Sequence, residues 1–93
     1  METTNITRDE AKNLAYAVHQ KDVDSEVNRI LEWIKSRAKL GCSRTGGVIV
    51  IGEAVTVFVV NRLKGMGYSV GWELSSKEFN TYYLTIAWVE FVN

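Results

Sequence analysis

Val27, Ile30, Leu31, Ile34 and Ala38 recur with the three-to-four-residue spacing of a helix turn, while Tyr68, Val70, Trp72 and Leu74 recur at every second residue. The first spacing gathers one apolar stripe along a helix, and the second gathers one apolar face on a strand. A chain that carries both in separate segments folds as helices packed against a sheet. With 93 residues it makes one domain, residues 1–93, with room for one modest core. Hydrophobic residues make up 46% and charged residues 24%, enough apolar material to argue against disorder.

The chain starts a helix at Ile6-Thr7-Arg8-Asp9-Glu10. Thr7 is the N-cap and Glu10, three residues on, completes a capping box. Ala11, Leu14, Ala15 and Val18 follow at helical spacing, so this helix should run to about His19. Asp22-Val23-Asp24-Ser25 reads as a break with a second N-cap, or as a bend in one long helix. The second helix carries the Val27–Ala38 stripe and stops at Gly41. Val48-Ile49-Val50-Ile51 is a strand. Residues 53–67 are β-branched, yet Val55, Val59, Leu63 and Met66 share one helical face ahead of Gly67, which selects a helix. Residues 68–74 form a strand, 75–80 a polar turn, and 81–91 a strand antiparallel to it. The order α-α-β-α-β-β describes an α+β fold, a small antiparallel sheet covered by helices. Tyr82, Leu84, Ile86 and Trp88 lie on one face of the last strand. Tyr83, Thr85, Ala87, Val89 and Phe91 lie on the other, so that strand is central or meets another subunit. With one sheet face not clearly polar, a homo-oligomer is expected.

Charge is balanced overall, with 11 Lys+Arg against 11 Asp+Glu, but it is sorted along the chain. Between residues 35 and 64 stand Lys35, Arg37, Lys39, Arg44, Arg62 and Lys64 against Glu53 alone. Ser43-Arg44-Thr45-Gly46-Gly47 joins hydroxyls, bare backbone and a guanidinium, which suits a phosphate. If Arg62 and Lys64 gather around that loop, and an aromatic ring from Trp72, Tyr83 or Trp88 stands beside it, the set can hold a nucleotide-like ligand. The same residues read as a helix-to-strand connector, solvated helix ends and core aromatics.

Catalytic and metal chemistry are weakly signalled. Cys42 and His19 are the only cysteine and histidine, and neither a nucleophile elbow nor a Walker loop accompanies them. Asp22, Asp24 and Glu26 lack the glycine and terminal glutamate of a calcium loop, and capping explains them better. No catalytic residue, metal or cofactor is expected. A lone thiol points to a reducing compartment, and the polar Met1–Asn5 start resembles no signal peptide. The apolar run Val48–Val60 is interrupted and too short to cross a bilayer. A cytoplasmic protein with no membrane partner is the expectation.

Arg37-Ala38-Lys39-Leu40-Gly41, Leu63-Lys64-Gly65-Met66-Gly67-Tyr68-Ser69-Val70 and Thr81-Tyr82-Tyr83-Leu84-Thr85-Ile86-Ala87-Trp88 together resemble a pattern of small accessory proteins from tailed phages. There, helices ending near Ala-Lys-x-Gly precede a strand, a helix leading into Gly-Tyr-x-Val, and a closing Thr-x-Tyr-x-Leu-x-Ile-x-Trp strand. The run Val55–Val60 is more β-branched than that pattern. The resemblance implies a phage accessory protein in the host cytoplasm, of a kind that includes antagonists of host enzymes, binders that sequester nucleotide signals and minor virion components. Joined to the basic, Gly-rich loop and the aromatics, it makes the leading expectation a non-enzymatic binder that antagonises host defence by sequestering a nucleotide-like signal. Two other expectations stand beside it: an inhibitor of a host protein or minor virion component using an apolar sheet face, and a small nucleic-acid-binding module.

Overall fold

A computed structural model describes residues 5–89. The elements are α1 (Arg8–Lys39), β1 (Arg44–Ile51), α2 (Glu53–Gly65), β2 (Ser69–Leu74) and β3 (Thr81–Ala87). The α+β class holds, with a three-stranded antiparallel sheet in the order β1-β3-β2, so the last strand is central. Of the expected 81–91 strand, the ladder ends at Ala87, and residues 90–91 lie outside the described ones.

The N-terminal segment is a single helix of 32 residues, not two. Nothing from Arg8 to Lys39 can end a helix, since the segment contains neither Gly nor Pro. At the expected break, Val23 is fully buried. Asp24 caps nothing; its carboxylate pairs with Arg62 of α2. Thr7 caps the start as read, its hydroxyl accepting from the Glu10 N–H at 3.1 Å. The end is a Schellman motif: Gly41 N–H donates to the Ala38 carbonyl and Cys42 N–H to that of Arg37. Gly41, at φ +85°, takes the left-handed turn that this motif needs.

One stripe of α1, Val23, Val27, Ile30 and Ile34, enters the core. The stripe expected earlier in the helix does not: Leu14 is 63% exposed and Val18 78%. At about 100° per residue, Leu14 lies about half a turn around from Val23. A helix with one partner layer buries only one of two opposed stripes.

α2 forms despite its β-branched run. Helix propensity costs at most about 0.7 kcal/mol per such residue, whereas fully burying a Val or Leu contributes about 1.5–3 kcal/mol. Val55, Val59, Val60 and Leu63 are all buried. Met66 falls at the C-cap and stays half-exposed. The core closes between these helices and Val48, Val50, Tyr82, Leu84 and Ile86 of the sheet. Among the described residues, no helix is long and apolar enough to cross a membrane.

Candidate functional site

The ladder registers sort the sheet into two faces. Val48 and Val50, Tyr82, Leu84 and Ile86, and Val70, Trp72 and Leu74 stand on the helix side. Ile49, Ile51, Gly71, Glu73 and Thr85 are exposed on the opposite, open side. Three rows cross that open face: Ile49–Tyr83–Glu73, then Thr85 between glycines, then Arg44–Ala87–Ser69.

The middle row makes a depression. On one side of Thr85 stands Gly71, where an added Cβ would meet nothing within 4 Å. On the other side the β1 register slips between Thr45 and Val48, so Gly46 and Gly47 together oppose the one Thr85. Gly47 adopts φ +69°, a conformation that glycine takes without strain. Two side-chain-free flanks leave a shallow dish of about 400 Å³, lined by Gly47, Gly71, Trp72, Glu73, Tyr83 and Thr85.

Three of the residues read as ligand contacts, Gly47, Trp72 and Tyr83, therefore line one dish. Arg44 lies on the same face, one row from Thr85. The others are placed differently. Arg44 and Thr45 already belong to β1, so the expected Ser43–Gly47 loop is mostly a bulged strand whose backbone enters the ladder. The Ser43 carbonyl accepts from the Trp88 N–H at 3.1 Å. The buried Thr45 hydroxyl accepts from Trp33 Nε1 at 2.7 Å. Trp88 Nε1 donates to the Cys42 carbonyl at 2.9 Å, tying the end of β3 to the α1–β1 junction. Trp72 stands on the helix side of β2, its ring 5.6 Å from that of Tyr82.

Arg62 belongs to the helix layer. Its guanidinium donates to Asp24 and, at 3.3 Å, to the Tyr16 hydroxyl. The Asp24 carboxylate raises its pKa above the usual arginine value. The stability that this raised pKa carries is present at neutral pH and is lost as pH rises through the elevated value, in strong alkali. Lys64 is exposed in the last turn of α2. Neither residue shares the open face with Arg44.

Gly71, Glu73 and Thr85 were not among the expected contacts. Strand alternation had already set Gly71 and Glu73 opposite Trp72, and Thr85 with Tyr83. Only the register brings them into one row-by-row surface. His19 lies within α1, not at its end, and about 30 Å of helix separates it from the Lys39 turn beside Cys42. Among the described residues, no group of three His, Cys, Asp or Glu is placed to hold a metal ion. Comparison with protein-family models, with curated proteins and with solved structures finds no match for this chain.

Proposed function

We propose that this chain is a non-enzymatic binding protein that holds a nucleotide-like ligand, a flat ring bearing phosphate, on the open face of its sheet. The observation that carries this reading is the dish between Gly47 and Gly71, walled by Tyr83 and Glu73. Bare backbone on both sides of Thr85 admits a flat ring. The Tyr83 ring supplies a stacking surface. Glu73 accepts hydrogen bonds from the N–H edge of a base, and Arg44 donates to phosphate oxygens. From the Tyr83–Glu73 row to the Arg44–Ala87 row is four residues of strand, about 13 Å. That span suits a mononucleotide lying along the sheet, with base and phosphate at opposite ends. The resemblance to phage accessory proteins gives the setting: stoichiometric removal of a host signalling nucleotide.

Calorimetry against linear and cyclic nucleotides tests it. At least one should bind. Arg44→Ala should weaken that ligand by about 1.5–3 kcal/mol, the range for a charged hydrogen bond. Gly71→Val, which fills the dish, should abolish binding while the far-UV spectrum stays unchanged. No heat with any nucleotide, or undiminished binding by Gly71→Val, would remove the proposal.

A second reading rests on Ile49 and Ile51, both exposed beside the dish. They suit the apolar surface of a host protein docked on the same face. A stoichiometric partner that Ile49→Lys and Ile51→Lys release, and that nucleotides do not displace, would favour it.

A further inference from the structure

The two edges of the sheet are not equivalent. At the β1 edge, α1 lies alongside, and Arg29 donates to the outward Ile49 carbonyl at 2.7 Å. That carbonyl has a partner within the chain. β2, at the other edge, hydrogen-bonds only to β3 among the described residues. Ser75 N–H donates to the Thr81 carbonyl on the β3 side. By alternation, Gly71 and Glu73 also direct their backbone groups to β3, and Val70, Trp72 and Leu74 direct theirs outward. Exposed edges are normally blunted by Lys, Pro or a bulge. Ser69-Val70-Gly71-Trp72-Glu73-Leu74 has none of these, and its pairing with β3 runs without a register shift. Trp72 remains 48% exposed and Leu74 59%.

We infer that β2 pairs antiparallel with β2 of a second copy, about a two-fold axis through Trp72, to form one continuous six-stranded sheet. An extended backbone can replace water on all the outward amides and carbonyls at once, and the strand's own sequence fits itself. With Trp72 on the axis, Val70 exchanges both backbone hydrogen bonds with Leu74 of the partner subunit, and Leu74 with the partner's Val70. This register uses every outward group of β2. The half-exposed Trp72 and Leu74 then meet apolar side chains on the helix side. Glu73, the one charge in the strand, faces Gly71 of the partner subunit and not another carboxylate. Zero formal net charge adds no long-range repulsion between copies. Because the same edge of each copy is consumed about a two-fold axis, the pairing closes at two copies and does not run on into a fibre. It also lays each copy's dish beside the partner's Glu73, so the two dishes adjoin across the axis. The pairing itself stands whether or not the dish binds nucleotide.

Sedimentation equilibrium from about 1 µM upward, the affinity range open to interfaces of modest size, should show a monomer–dimer equilibrium. Trp72→Lys should shift it to monomer. The register is tested separately in a Cys42→Ser background. Opposed residues of a non-hydrogen-bonded pair have Cα atoms about 4.5 Å apart, within disulfide reach. Gly71→Cys mixed with Glu73→Cys should therefore cross-link under mild oxidation, and neither should do so alone. A monomer at all concentrations, a Gly71→Cys protein that cross-links to itself, or a mixture that yields no covalent dimer would each overturn the inference.

Discussion

The indole N–H of Trp33 reaches the Thr45 hydroxyl across the junction of α1 and β1. Thr45 is buried, so losing its donor strands a polar atom away from water. Trp33→Phe keeps a large ring and deletes only the donor. It should destabilise the fold by about 1–2 kcal/mol in urea unfolding. Combined with Thr45→Val, which removes the stranded acceptor, the loss should be less than the two single losses added together. Strict additivity would show that this hydrogen bond contributes nothing. In the sequence, Trp33 stands beside Ile34 and off the Val27–Ala38 stripe. Its partner is not legible there, because the β-branched run that marks the strand begins at Val48 and leaves Thr45 in a loop. Trp88 has the same history. Alternation grouped it with Tyr82, Leu84 and Ile86, the set that faces the helices in the structure, but a stacking role ignored its N–H, which serves the Cys42 carbonyl.

Local signals explain why element ends were legible and the course of α1 was not. The Thr7 cap and the Gly41 and Gly67 stops each depend on residues within a few positions. At Gly67, N–H groups of Gly67 and Tyr68 donate to the carbonyls of Lys64 and Leu63, a second Schellman motif. Asp22-Val23-Asp24-Ser25 looked like a cap because Asp and Ser favour caps, yet Asp24 is held on the helix by Arg62, a contact across 38 positions. Likewise, periodicity located two apolar stripes on α1 but could not say which one has a partner layer. The structure makes them energetically distinct. Ile30→Ala, in the buried stripe, should cost about 2–5 kcal/mol. Leu14→Ala, on the opposed exposed face, should stay within about 0.5 kcal/mol. Chemical denaturation of the two variants checks this, and comparable losses would mean that the exposed stripe is also packed.

Among the described residues, large apolar side chains are as numerous on the surface as in the core. The Cα trace extends 60 Å along its longest axis and about half that across, and the turns of α1 ahead of Tyr16 lie beyond the packed body. A chain of this size folds by a margin of only about 5–15 kcal/mol. One that leaves Ile49, Ile51, Trp72 and Leu74 in water should lie toward the lower end when alone. Burial of Trp72 and Leu74 between copies would then supply part of the native stability, and the melting temperature must depend on protein concentration. For a dimer that unfolds to separate chains, each tenfold increase in concentration adds about 1.4 kcal/mol per dimer, or about 0.7 kcal/mol per chain. In a domain of this length, 1 kcal/mol shifts the midpoint by about 4–8 °C. Scanning calorimetry above the dissociation constant should therefore show the midpoint climbing by about 3–6 °C per tenfold step, and Trp72→Lys should flatten that slope. A wild-type midpoint that ignores concentration would show that the core between α1, α2 and the sheet is sufficient by itself, and that the open β2 edge contributes nothing to the folded state.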